Sequence, residues 1–252
     1  MSAEKSLALV LRVVDFSESS AVVTLLTRDF GKVRALAKGA RRPKGPFESA
    51  LDLLGLCRIV FLRKSSDALD LLTEAKLERR FRPRSGDLAS LYAAYYVAEL
   101  LNELTDDYDT HHELFDCASR TLVQLSHDED VARTLLRFEM TTLRLLGHAP
   151  MLDQCTECGR ELPAAPRVRF GQLAGGVLCD VCRSGHKKVA VVSTATIRAL
   201  RDLGAPEDNA WREVAIDRRT RGELRGVVND YLANLLGRQP RMHRYLGMLT
   251  GR

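Results

Sequence analysis

Apolar residues in the first eighty positions come in short, strand-length runs separated by polar turns. Residues 6–14 and 21–27 are rich in Val, Leu and Ala, with the polar turn Asp15-Phe16-Ser17-Glu18-Ser19-Ser20 between them. Arg28-Asp29-Phe30-Gly31 makes a hairpin connection into residues 32–38, where Val33, Ala35 and Ala37 alternate with Lys32, Arg34 and Lys38. That period of two predicts a half-buried strand with the aliphatic residues inward and the cations outward. Two further runs, 57–63 and 68–72, flank the turn Lys64-Ser65-Ser66-Asp67. Five short strands predict a small closed or nearly closed barrel, because a sandwich usually needs about seven.

After Pro83 the period becomes helical. Leu88, Leu91, Tyr92, Tyr95, Ala98 and Leu101 share one helix face, and Leu114, Cys117, Ala118, Leu122 and Leu125 share another. A third helix is expected with Ser126 as N-cap and Glu129 completing a capping box, carrying Leu135, Phe138, Leu143 and Leu146 to a stop at Gly147 before Pro150. Together these three segments predict a helical bundle. Residues 151–190 then read as loop with four cysteines. Ser193 is placed to cap a helix over 194–203, and residues 219–236 predict another through Leu224, Val227, Val228, Tyr231, Leu232 and Leu235. The expected organisation is therefore a strand-rich head (1–82), a helical region (83–150), a cysteine module (151–190) and a helical C-terminal part (191–252).

Within that frame, charge is distributed unevenly. The net charge of the 252 residues is +5. Residues 1–84 carry 17 Lys and Arg against 10 Asp and Glu, whereas residues 85–150 carry 4 against 12. A basic head next to an acidic stretch points to different partners for different surfaces, with a polyanion as the candidate for the head. The cations concentrate in Lys38-Gly39-Ala40-Arg41-Arg42-Pro43-Lys44-Gly45-Pro46, which can neither bury itself nor continue a sheet. Arg63 and Lys64 at a second hairpin, and Arg79-Arg80-Phe81-Arg82, could extend the patch. Phe47 and Phe81 are the aromatics expected to be in position to stack on a base, although core packing suits either. No run approaches the roughly 18 apolar residues of a membrane span, and the charged first fifteen residues do not read as a signal peptide, so a soluble, cytoplasmic protein without a membrane partner is expected.

The strongest chemical signal is Cys155-x-x-Cys158 and Cys179-x-x-Cys182, twenty residues apart. Two-residue gaps let each pair aim its sulfurs at one point, and four thiolates fill a tetrahedral shell with no position left for water. The expected ligand is one structural Zn2+ per chain. An iron–sulfur cluster, two disulfides, or His186 in place of one cysteine remain open alternatives. Cys57 and Cys117 read as small buried apolar side chains.

No nucleotide-binding glycine loop or zinc-protease helix is present. Asp106, Asp107 and Asp109 cluster between two helices and leave a metal-dependent, zinc-containing nucleic-acid enzyme as one alternative. An interaction hub for acidic protein tails is another.

The motifs Leu25-Leu26-Thr27-Arg28, Gly31-Lys32-Val33, Ala37-Lys38-Gly39-Ala40-Arg41-Arg42 and Leu72-Thr73-Glu74-Ala75 resemble the N-terminal signature of the RecO family of bacterial recombination mediators. Ala94-Tyr95-Tyr96-Val97-Ala98-Glu99-Leu100, Arg137-Phe138-Glu139 and Leu145-Leu146-Gly147-His148-Ala149-Pro150 resemble its helical region, which many members follow with such cysteine pairs. The resemblance implies an α+β multidomain fold: an N-terminal five-stranded OB-fold barrel, then a C-terminal helical domain with an embedded four-cysteine zinc module. It also implies a non-catalytic, nucleoid-associated protein of DNA repair that binds single- and double-stranded DNA and anneals complementary strands. With RecR, such a protein helps RecA replace single-strand-binding protein (SSB). Lys38, Arg41, Arg42 and adjoining Lys44 become DNA-contact candidates, supported by Lys32 and Arg34 and extended by Arg63 and Lys64. Arg137, with Arg133 one turn earlier, becomes the candidate for the carboxylate of the acidic SSB tail.

Overall fold

The computed structural model describes residues 2–42, 47, 50–64, 68–83, 87–127, 130–206 and 210–247. The chain divides into two compact units, Met1–Glu129 and Asp130–Arg252.

The first unit holds strands β1 (Ala3–Asp15), β2 (Ala21–Thr27), β3 (Gly31–Ala37), β4 (Leu56–Leu62) and β5 (Asp70–Arg79), closed into a barrel in the order β1-β2-β3-β5-β4. Closure gives every strand a partner on both sides over part of its length. All neighbours are antiparallel except β3 and β5, where Ala35 faces Asp70 and Ala37 faces Leu72. The alternation expected in β3 places Val33, Ala35 and Ala37 in the barrel core with Val23, Leu25, Ile59, Phe61 and Leu72. The fifth strand is longer than the run 68–72. Its continuation from Thr73 to Arg79 alternates Ala75 and Leu77 towards the core with charged Glu74, Lys76 and Glu78, and pairs with β4.

Helices α1 (Leu88–Leu104) and α2 (His112–His127) complete this unit. Asp87 caps α1 by accepting hydrogen bonds from the amides of Ala89 and Ser90. The barrel and the α1–α2 connection are pressed together at Gly31, where a Cβ would lie 2.0 Å from the Asp109 carbonyl oxygen and φ is +66°. Only glycine fits there. Nearby, Tyr108 donates its amide to the Lys32 carbonyl and its hydroxyl to Asp70, which is buried.

In the second unit, α3 (Val131–Leu145) packs against α4 (Thr194–Gly204) and α5 (Arg218–Leu235). Two expectations change here. Ser126 is not an N-cap: it lies inside α2 and donates to the Leu122 carbonyl, because the apolar face of α2 runs on through Leu125. Asp130, directly before the next apolar run, caps α3 instead by accepting from the Arg133 amide, while Glu129 lies outside the described residues. As a result α3 groups with the later helices rather than with α1 and α2.

The second change concerns residues 151–190, which are more than loop. Strands β6 (Arg167–Gly171), β7 (Gly176–Leu178) and β8 (Val189–Ser193) form an antiparallel sheet in the order β7-β6-β8. These strands are only three to five residues long, too short for a period-two pattern to stand out from loop. The expected stop at Gly147 is present: Gly147 and His148 donate to the carbonyls of Arg144 and Leu143. Ser193 caps α4 through the Thr196 amide, as its position suggested.

Candidate nucleic-acid interface and metal centre

The turn after β1 and the exit of β3 meet at one end of the barrel, because Ala21 pairs with both Asp15 and Ala37. Arg41 joins the two segments. Its amide donates to the Ser19 carbonyl, and its guanidinium donates to the Ser17 carbonyl and lies 3.3 Å from the Asp15 carboxylate. Lys38 and Arg42 are exposed beside it, and the Arg42 amide donates to Gly39. Three cations thus rise from five residues of backbone that is itself held down.

The other candidates are placed differently. Arg34 is exposed on β3 with Nε 2.8 Å from Asp107. Lys32 does not face solvent as the alternation suggests. Its Nζ donates to the Asn102 and Thr105 carbonyls at the end of α1, with Asp107 at 3.9 Å, and its side chain is only 12% exposed. A lysine at a helix C-terminus satisfies carbonyls that the helix leaves open, which makes Lys32 a clamp between barrel and helix. Arg63 and Lys64 leave β4 next to Ala3, at the opposite end of β1 from Asp15. Arg63 stacks 4.2 Å from the Tyr108 ring. Lys44 lies outside the described residues.

Both surface ion pairs are exposed, Arg41–Asp15 at 45% and 67% and Arg34–Asp107 at 57% and 34%. Such pairs are worth about 0.2–1 kcal/mol, so a phosphate can exchange for either carboxylate at little cost. Phe47, expected as a possible stacking residue, is in the barrel core, and Phe81 is half-buried. Sequence reasoning passed over Phe16, in the β1–β2 turn, which is 64% exposed.

Asp106, Asp107 and Asp109 do not converge on a metal position. Asp107 turns to Arg34, and Asp109 pairs with His111 at 2.9 Å. Among the described residues, the one group of three or more side chains that could hold a metal ion is Cys155, Cys158, Cys179 and Cys182, whose sulfurs all lie within 4.8 Å of one another. Two ligands at about 2.3 Å from a tetrahedral ion sit roughly 3.8 Å apart, and the Cys158 and Cys179 sulfurs are 3.9 Å apart. The donor set fits a tetrahedral thiophilic ion.

Local backbone explains why two of these sulfurs, Cys155 and Cys179, accept negative charge. Gly159 has φ +68°, a conformation natural to glycine, and closes the first turn by donating to the Cys155 carbonyl at 2.8 Å. The Cys179 amide points at the Cys155 sulfur, and the Cys182 amide at the Cys179 sulfur, each at 3.4 Å. Burial pushes the Cys155 thiol up, but amides of Cys179, Cys158 and Glu157 outweigh it and hold the thiol at about 6. Hydrogen bonding with Cys179 and Cys158 pushes Cys182 up to about 12. His186 faces Glu157 at 3.4 Å. Burial pushes the isolated Cys57 thiol up to about 12, in keeping with an inert core position.

In the second unit, Arg137 donates to the Leu203 and Ala205 carbonyls at the end of α4, and Arg144 does the same to Gly204. Arg133 pairs with Asp130 and donates to the Arg212 carbonyl. Trp211, in a single 3-10 turn (Ala210–Arg212), lies near both the Arg137 and Arg212 guanidiniums. The rest of the Arg137-Phe138-Glu139 motif points inward: Phe138 is fully buried, and Glu139 forms a buried ion pair with Arg225 of α5.

Comparison with known proteins covers nearly the whole chain. Residues 1–81 match the model for the Recombination protein O N terminal family, and residues 85–244 match Recombination protein O C terminal. A DNA repair protein RecO from Rhodopirellula baltica is 43% identical over 95% of this chain and 97% of its own length. The same-named proteins of Anaeromyxobacter dehalogenans and Moorella thermoacetica are 35% and 30% identical over 98% and 96% of this chain, covering 96% and 90% of their own lengths. With both terminal families matched in order and relatives aligned from end to end, the chain belongs to the RecO family of DNA repair proteins.

Proposed function

We propose that this chain is a non-catalytic DNA-binding and strand-annealing protein that works on the nucleoid in the cytoplasm. Its barrel acts as an OB-fold whose phosphate contacts are Lys38, Arg41 and Arg42, with Arg34 on the adjoining strand and Lys44 following. The observation that carries this reading is the meeting of the β1–β2 turn with the cationic exit of β3 at one barrel end. OB-folds use such loops to track phosphates. Lys32 serves the fold rather than the ligand, and Arg63 with Lys64 would meet DNA only along a path running the length of β1.

Annealing follows from charge. Two DNA strands repel each other, and a surface that holds both weakly raises their local concentration and lowers the electrostatic cost of encounter. Neither ATP nor bond cleavage is needed. In this reading the protein acts with RecR to help RecA replace SSB, and the second unit receives the acidic SSB tail. Arg133 and Arg137 hold the end of α4 and the Trp211 turn in place there, so they shape the tail's seat as well as contributing charge to it. The four cysteines hold one structural Zn2+, which ties the segments before and after β6 and β7 together and leaves no open position for chemistry.

The test is a titration of single-stranded and duplex DNA across a salt series, with an ATP-free annealing readout. Arg41→Ala combined with Arg42→Ala is expected to weaken binding and reduce the slope of log affinity against log salt by about 1–2. Unchanged titrations in the variant, or no acceleration of annealing by the native protein, would overturn the proposal.

A further inference from the structure

Strand β1 is longer than the barrel requires. Its burial alternates and then saturates up to Leu11, after which every residue from Arg12 to Glu18 is exposed. A register shift between Val10 and Arg12 marks where the strand bends away, and from there Val13 and Val14 continue to pair with Val23 and Val22 of β2. The result is a strand end that pairs with β2 beyond the last β4 partner and leads into the turn, carrying Val13 at 39%, Val14 at 42% and Phe16 at 64% exposure. Phe16 is the only exposed aromatic among the described residues.

Its surroundings identify a ligand. The turn is fixed by its own backbone, with the amides of Phe16 and Ser17 both donating to the Ser20 carbonyl at 3.0 and 3.1 Å. The Arg41 guanidinium is held by Asp15 and Ser17, the two residues on either side of Phe16. An exposed apolar ring thus sits on a hydrogen-bonded turn whose flanking residues hold Arg41, with Arg42 and Lys38 exposed on the same loop as Arg41. Taken together, residues 12–20 and 38–42 carry four cations against Asp15 and Glu18. An acidic peptide would satisfy the cations without needing a flat ring. A single-stranded nucleic acid needs both, since it brings an anionic phosphate and an aromatic face in each repeating unit.

We propose that Phe16 is a base-stacking platform for single-stranded DNA, working beside the phosphate contacts of Arg41 and Arg42. This rests on the DNA-binding reading above and adds specificity to it. In a duplex the base faces are already stacked on each other, so the ring has nothing to hold. Binding that favours unpaired bases loosens as two strands pair, which releases the annealed product.

The experiment compares the full-length native protein with Phe16→Ala and Phe16→Trp on oligothymidylate and on a duplex of equal length. Phe16→Ala is expected to lose about tenfold in oligothymidylate affinity, with duplex affinity and salt slope unchanged. Phe16→Trp should retain affinity, with emission quenched by oligothymidylate but not by duplex. Native oligothymidylate affinity in Phe16→Ala, or an equal loss on both ligands, would overturn the platform. Loss in the Arg41/Arg42 variant but none in Phe16→Ala sinks only the stacking. No loss in either variant sinks the DNA-binding reading as well.

Discussion

Glu139 and Arg225 show how a motif recognisable in sequence can serve packing. The pair joins α3 to α5 with side chains 0% and 4% exposed, and no spacing rule links residues 86 positions apart. Burying two charges is costly, and removing one leaves the other uncompensated. Glu139→Ala is therefore expected to destabilise the second unit by about 3–5 kcal/mol, whereas replacing both residues with apolar ones of similar volume should cost far less. Urea unfolding of the single and double variants checks this. Phe16 shows the reverse case: the motif-free turn Asp15-Phe16-Ser17 reads as an ordinary polar connection until the exposure of the ring and the position of Arg41 are known.

Helices and strands of the second unit are tied together at Glu223 of α5. Its carboxylate accepts from the Ser193 amide (2.7 Å) and the Thr196 hydroxyl (2.6 Å) at the start of α4, and from Arg167 of β6 (2.7 Å). Desolvation pushes this carboxyl up, but the donors prevail and hold it at about 2. A carboxyl lowered on folding adds stability that is fully present above its unfolded value, near 4.5, and lost as pH falls towards 2. The melting-temperature gap between native protein and Glu223→Gln should accordingly be constant near neutrality and close between about pH 4.5 and 2. A gap that persists at pH 2 would mean the carboxylate charge does not contribute. In the first unit the corresponding tie is Lys32. Its place in an alternating strand predicts exposure, but the open carbonyls at the end of α1 draw the ammonium in.

Across the whole chain, the basic head and the cysteine module place two independent demands on the protein. A metal held by the four cysteines, which lie before β6 and after β7, would contribute to folding free energy because no preformed site exists in the unfolded chain. Removing it with a chelator, or changing Cys155→Ser, is expected to lower the second unit's melting temperature and solubility. On the proposed function, which puts the phosphate contacts in the first unit, the salt dependence of DNA binding should be unaffected where the protein stays folded. Elemental analysis with thermal unfolding and DNA titration tests this. A chelated protein with native melting behaviour would count against a structural role, and absence of metal from freshly purified protein would remove the site.

The barrel strands, the Ser193 cap, the Gly147 stop, the cationic β3 exit and the grouping of the four cysteines were legible in the linear order of residues. Each rests on a local rule: period two for a strand, a short polar side chain at a helix start, two-residue gaps for a thiolate pair. The sheet hidden in 151–190, the grouping of α3 with α4 and α5, the inward turn of Lys32 and the partnership of Glu139 with Arg225 were not legible. Those depend on contacts between residues far apart in the chain, where unsatisfied carbonyls and buried charges choose partners that no local period encodes. The same holds for the end of the barrel where Arg41 meets Asp15 and Ser17: a polar turn and a cationic loop become one surface only because β1, β2 and β3 pair in a register that closes them together.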